Sequence, residues 1–326
     1  MDKTRPAPGT AAAVLALLRN GRTVVFLVLV ALAFASQNAR FLSLRNLTNI
    51  LADVSIYGVI AVGMTFVILS AGVDLSVGSV LAFAAMSAGW LLRLSGLQLH
   101  PGWLFALLTC LAMGALAGLI HGKVTTVLRV PAFITTLGGL SAWRGATLLL
   151  NNGSPINGFD ANYRWWGNGA VLGIPVPIII FAAVAFAGYV IQRYTRYGRQ
   201  IYAVGGNLEA ARLSGLDVNA LASSVYIMVG LLSGLAGFLL SARLGSAEAV
   251  AGVGYELRVI ASVVIGGTSL SGGRGGVGGT IMGALLIGML GNGLVMMGVN
   301  AYYQQIIIGI IIVFAVALDA LAKRRA

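Results

Sequence analysis

The chain has 326 residues, of which 58% are hydrophobic and only 9% charged, and its mean hydropathy of +0.93 excludes a soluble fold. Its net charge of +12 does not indicate nucleic acid, because the basic residues sit between apolar runs rather than in one stripe with interleaved aromatics. Lys and Arg so placed act as topology signals, concentrating in cytoplasmic loops of a membrane protein.

Apolar runs approaching the roughly 20 residues of a spanning helix recur along nearly the whole chain. No alternating strands of an outer-membrane barrel occur, so the predicted fold is all-α and polytopic. A charged leader, residues 1–22 with Lys3, Arg5, Arg19 and Arg22, precedes the first run, Thr23 to Ser36. Within it Ala33-Phe34-Ala35 has the look of a signal-peptidase site. Cleavage is not expected, because the leader is long and losing this helix would spoil the topology. Further spans are predicted at Asn49–Ser70, Leu75–Leu92, Trp103–Ile120, Pro131–Leu150 and Val171–Ile191. After these come Leu221–Ala242, Leu257–Ile265, Thr280–Met297 and Gln304–Leu321, making about ten with the first. With both termini cytoplasmic, the inner segments collect about 14 of the 21 basic residues, as the positive-inside rule requires. The expected organisation is one transmembrane domain over 23–321, with a long inner loop at 193–220 and a basic tail at 322–326.

Two segments interrupt this pattern with glycine: SAGVDLSVGS at Ser70–Ser79 and GGTSLSGGRGGVGG at Gly266–Gly279. Val77–Met86 also lines up with Val277–Met289 as Val-Gly-small followed by an apolar run, a weak sign of internal duplication. Paired glycine-broken helices point to a transport pathway, since they expose backbone dipoles to a polar cavity. Gly273-Arg274-Gly275-Gly276-Val277-Gly278 spells a dinucleotide fingerprint but lacks the strand before it and the acid about 20 residues on. Its glycines, Gly275 and Gly278 among them, are read instead as sites of close backbone approach.

Asp74 has two readings: a cap for the helix starting near Leu75, assisted by Ser76, or a polar wall or gate group for a hydroxylated solute. Asn151 and Asn152, ahead of an outer loop with Tyr163, Arg164, Trp165 and Trp166, and Glu256 complete the candidate pathway residues with Asp74, Ser76, Gly275 and Gly278. The aromatics read as an interfacial belt or as a docking surface for an external partner. Cys110 reads as helix packing. His100 and His121 fall at span edges with no partners for a metal set, so they are read as interfacial and no metal site is expected. No phosphate-binding loop G-x-x-x-x-G-K-[ST] occurs, so the chain is not expected to hydrolyse ATP itself. In the inner loop, Leu208–Leu213 lies between Asn207 and Gly215, the punctuation of a short helix. So short a helix is marginal alone and calls for a docking partner.

GVDLSVGS (Gly72–Ser79), YAVGGNLEAARLSGLDV (Tyr202–Val218) and GYELRVIASVVIGGTSLSGGRGGVGGT (Gly254–Thr280) resemble signatures of the ribose/xylose/galactoside-type permeases of ATP-binding-cassette importers. The resemblance covers about Phe41 to Asp319. It implies a bacterial inner-membrane protein, a second permease chain and a periplasmic solute-binding protein. It also implies an ATPase that binds ATP and Mg on its own chain and docks on the inner loops, leaving no cofactor here. By the same resemblance Glu209, Ala210, Ala211 and Arg212, flanked by Asn207 and Gly215, form the coupling helix. Arg258 departs from the family pattern, which more often carries an acidic or neutral polar residue, and leaves the carried solute open. The competing readings are a permease for another small solute, such as an autoinducer or a branched-chain amino acid, an ion-coupled carrier, and a membrane enzyme. The carrier would need charged groups within spans, of which only Asp53 and Asp74, near span edges, are evident.

Overall fold

The computed structural model describes residues 22–94, 102–300, 302–307, 309, 310 and 313. His100, most of the leader, most of the predicted span Gln304–Leu321 and the basic tail lie outside the described residues.

The helices are α1 (Arg22–Gln37), α2 (Leu44–Leu69), α3 (Val77–Leu94), α4 (Gly102–Thr126) and α5 (Ala132–Leu149), then α6 (Ala161–Asn168) and α7 (Val176–Tyr194). They continue as α8 (Arg196–Gly206), α9 (Leu208–Leu213), α10 (Val218–Leu244), α11 (Tyr255–Ile265) and α12 (Val277–Met296). Four two-residue strands form two ribbons: β1 (Ile156–Asn157) pairs with β4 (Ser246–Ala247), and β2 (Ala170–Val171) with β3 (Ile174–Pro175). Helices α2, α4, α7, α10 and α12 are long and apolar enough to cross a membrane. Leu104, Phe105, Leu108, Leu116, Leu119 and Ile120 on α4 are exposed on the chain's surface, an apolar face that water would not tolerate and lipid covers. The protein is an all-α membrane protein.

Helix α2 is apolar all round and is buried almost continuously from Val54 to Leu69, which makes it the centre of the bundle. Helix α10 packs on it and on α4. Gly114, Gly118 and Gly122 lie one turn apart on α4, and a side chain on Gly118 would overlap the Tyr226 carbonyl of α10. In lipid, helices gain little from excluding water, so this backbone-to-backbone approach is what holds them.

Two expected spans differ in form. The one placed at Val171–Ile191 opens as the β2–β3 hairpin, turned by Leu172 and Gly173 at positive φ, and its helix begins only at Val176. The hydrophobicity of Val171 and Leu172 is that of exposed hairpin residues. The one placed at Leu257–Ile265 is the 11-residue α11, about 16 Å long, too short to cross alone.

Helix α10 measures how deep the first glycine break reaches. Gly72 stands beside Tyr226, and Leu81 beside Gly237, eleven residues or about 16 Å further along α10. The chain climbs this distance largely as the non-helical stretch 70–76, so α3 starts inside the bundle. Loop 248–254 folds back to meet it: a side chain on Gly252 would stand 2.7 Å from the Gly78 carbonyl oxygen, and one on Gly78 would come 2.8 Å from Oε2 of Glu256. The first turns of α3 and α11 therefore face each other within the bundle.

The aromatic segment around Trp165 is more than a belt. Asp160 caps α6 by accepting from the Tyr163 amide at 2.7 Å, and α6 lies across the end of α10. Tyr163 is buried with its hydroxyl 2.8 Å from Ser241 Oγ, while Trp166 packs on Trp103 and Phe238. Only Trp165 of the three remains exposed.

Candidate functional site

Asp74 is buried at 2% exposure. Its Oδ1 accepts from the Ser76 amide at 2.8 Å and from the Ser76 hydroxyl at 2.6 Å. Asp74 therefore buttresses Ser76, the residue before α3, and does not cap the helix by itself; the helix starts at Val77, not Leu75. His121 Nδ1 lies 3.3 Å from Ser76 Oγ and 3.7 Å from Asp74 Oδ2. On the far side of the ring, Trp143 Nε1 donates to His121 Nε2 at 3.0 Å. An indole can only donate, so this nitrogen accepts and the ring proton sits on Nδ1, facing the Asp74–Ser76 pair. Thr136 Oγ1 adds a contact to the Val73 carbonyl at 3.4 Å. Side chains from α4 and α5 thus clamp the extended stretch between α2 and α3.

His121 does not face the surface of the chain: it is 3% exposed. It follows Gly118 by three residues and precedes Gly122, on the face that α4 turns to the protein interior. That periodicity was the signal that could have found it. Arg144 is a second residue the sequence reading passed over. It lies within α5, half-buried, and its Nη1 donates to the carbonyls of Ala249 and Ala251 at 2.5 and 3.0 Å, pinning the loop that folds back onto Gly78. A guanidinium inside an apolar run is costly unless paired in this way, so its presence in Pro131–Leu150 was a readable sign. Glu256 closes the same region, its Oε1 accepting from the Gly254 amide at 3.2 Å.

At the second break, Gly275 has φ +120 and a side chain there would collide with Thr268, so the expected close approach holds at this position. At Gly278 it does not: a Cβ added there would meet no atom within 4 Å, and the residue is exposed. The tight contact falls one residue later, where Gly279 meets the Gly266 carbonyl, because that is the phase of α12 facing α11. Gln192, from the end of α7, caps α12 by accepting from the Val277 amide at 2.9 Å. Its amide nitrogen donates to the Tyr202 hydroxyl and to the Gly275 carbonyl, the latter at 3.3 Å, and Tyr202 in turn donates to that carbonyl at 2.6 Å.

Asn151 and Asn152 do not join either group. Asn151 ties its own turn together by donating to the Ser154 and Pro155 carbonyls, Asn152 takes φ +49, and both lie beyond α5 near the end carrying α6. Near that end a cleft of about 270 Å³ is lined by Arg93, Asn157, Phe159, Asp160 and Tyr163 among others.

The short helix predicted in the loop 193–220 spans Leu208–Leu213 with Asn207 Oδ1 accepting from the Ala210 amide at 2.9 Å and Gly215 at φ +81 closing it. Glu209 and Arg212 form an exposed pair at 3.2 Å, a contact of little intrinsic strength. Ala211 does not belong to an outward contact face. It is 4% exposed and packs with Val204 and Val218, which anchors so short a helix. Leu208, Glu209, Ala210, Arg212 and Leu213 are the outward residues.

Broken helices meeting inside an apolar bundle, polar clamps on the breaks and an exposed short helix in a connecting loop define a membrane transport protein. The comparisons place it more closely. A family model described as "Branched-chain amino acid transport system / permease component" matches residues 46–316, and the chain belongs to this family. It is 44% identical to the ribose import permease protein RbsC of Escherichia coli strain K12, over 93% of this chain and 94% of that one. It is 38% identical to the D-allose transport system permease protein AlsC of the same strain, over 93% and 92% of the two chains. With the xylose transport system permease protein XylH of Haemophilus influenzae it shares 33% identity over 94% and 99%. No solved structure matches.

Proposed function

We propose that the chain is the membrane permease of an ATP-binding-cassette importer and forms the pathway for a monosaccharide or related small polyhydroxylated solute. The observation that carries this is end-to-end similarity to permeases named for ribose, allose and xylose, although the family description names branched-chain amino acids. A separate ATPase binds ATP and Mg and docks on α9, a periplasmic binding protein delivers the solute, and a second permease chain completes the pathway in the bacterial inner membrane. Ten spans with both termini cytoplasmic fit the way segments gather. Expected inner stretches meet at Ala71, Gly205 and Gly272, and expected outer ones meet where β1 pairs with β4 and Asn168 donates to the Ala242 and Arg243 carbonyls at 3.1 Å. Asp74, Ser76 and Glu256, with His121 and Arg144, stand at the breaks through which the solute passes.

The test is uptake by vesicles holding the chain with its ATPase and binding protein, with ion gradients collapsed. ATP-dependent uptake of labelled ribose, allose or xylose is expected. Uptake of leucine without any monosaccharide, or uptake driven by an ion gradient without ATP, would overturn the reading. A reporter fused after Arg325 is expected on the cytoplasmic side.

A further inference from the structure

The exposed helix α9 is connected to the bundle on its N-terminal side by α8, whose contacts are with both helix breaks. Gly205 of α8 lies so close to α2 that a side chain would overlap the Leu69 carbonyl, and that same carbonyl accepts from the Gly273 amide of the second break at 2.9 Å. A side chain on Gly272 would stand 2.7 Å from the Gly205 carbonyl and 3.0 Å from Ala71 Cβ. Three backbones therefore meet at one point: the end of α2 where the first break begins, the end of α8, and the second break. Nothing larger than the Ala71 methyl stands there to absorb a displacement.

The second link is polar. Tyr202 of α8 and Gln192 of α7 converge on Gly275 and Val277, so the first turn of α12 receives its cap from another helix. Gly276, the residue before α12, has no side chain to supply one. The Tyr197 hydroxyl, 2.8 Å from Ser224 Oγ, ties the other end of α8 to α10.

We infer that α8 is the element that carries movement of the cytoplasmic loop into both helix breaks, with Gln192 and Tyr202 as the positioning residues that keep the second break attached to it. This rests on the importer reading above. Both breaks respond together because one short helix holds them. Without the Tyr202–Gln192 clasp, α8 still moves with α9 but the start of α12 no longer follows.

The experiment uses the reconstituted complex with its ATPase and binding protein. The one cysteine of the sequence, Cys110, is buried, so spin labels attach at introduced cysteines. Labels replace exposed Arg199 on α8, exposed Arg274 in the second break and exposed Leu128 after α4. On ATP addition the 199–128 distance is expected to change while the 199–274 distance stays constant. In Tyr202→Phe and Gln192→Leu, the 199–274 distance changes as well. The solute moved per ATP hydrolysed is then expected to fall about five- to tenfold, the factor that a lost hydrogen bond carries, while the ATPase still co-purifies. A constant 199–128 distance, a 199–274 distance that changes equally in the unsubstituted chain, or normal solute-to-ATP ratios in both variants would overturn the inference. Tyr202→Phe keeps the ring and removes one hydroxyl, so it remains informative if Gln192→Leu fails to assemble. Glu209→Arg separates the two readings: normal ATPase association in that variant defeats docking on α9 and leaves the outcome of the distance test standing.

Discussion

The His121–Trp143 pair predicts a specific non-additivity. His121→Phe leaves the Trp143 indole without its acceptor at 3.0 Å and withdraws the ring N–H that faces Ser76 Oγ at 3.3 Å. Asp74 keeps both bonds from Ser76, at 2.8 and 2.6 Å, so no buried carboxylate is stripped of its donors. The cost is that of one unsatisfied buried donor, about 1–3 kcal/mol. Trp143→Phe leaves the imidazole Nε2 without a donor and loses part of the ring contact with Phe83, 4.9 Å between centroids, for a similar cost. In the double variant neither orphan exists, so the total is expected to fall short of the sum by about 1 kcal/mol. Equilibrium unfolding of the four proteins in mixed micelles measures this cycle. Strict additivity, or single variants within about 0.5 kcal/mol of the parent, would show that the pair does not clamp the first break.

Gly118→Ala is expected to destabilise by about 1–3 kcal/mol, because the new methyl overlaps the Tyr226 carbonyl and forces α4 from α10; Gly138→Ala, with nothing within 4 Å, is the control and should leave unfolding unchanged. Gly275→Leu should impair assembly, through positive φ and overlap with Thr268, while Gly278→Leu should be tolerated, as read by monodispersity on size exclusion. Ala211→Trp should unseat α9 from Val204 and Val218 and make the loop sensitive to protease, whereas Glu209→Arg should leave proteolysis unchanged. Asn207→Ala removes the α9 cap, about 1 kcal/mol, and should raise amide exchange at Ala210 in particular.

What the sequence determined by itself was carried by composition and local chemistry. Lipid demands that backbone groups pair within a segment, so long apolar runs could only be helices, and α4, α5, α10 and α12 lie within a few residues of their expected bounds except at the C-terminal end of α4. Caps are equally local: Asn207 and Gly215 bracket α9 because an Asn oxygen reaches an amide three residues on and Gly accepts a positive φ. The glycine breaks were visible for the same reason, and Asp74 beside Ser76 with them. Only the tertiary structure decided which faces met. Gly278 and Gly279 are indistinguishable in sequence, yet helical phase puts one in open space and the other against Gly266. Ala211 turned inward because Val204 and Val218 meet α9 on that side, and His121 became a buried partner of residues 45 and 47 positions away because α4 crosses the first break. The clasp of Gln192 and Tyr202 on α12 joins residues more than 70 apart, and no local propensity encodes a distance of that kind.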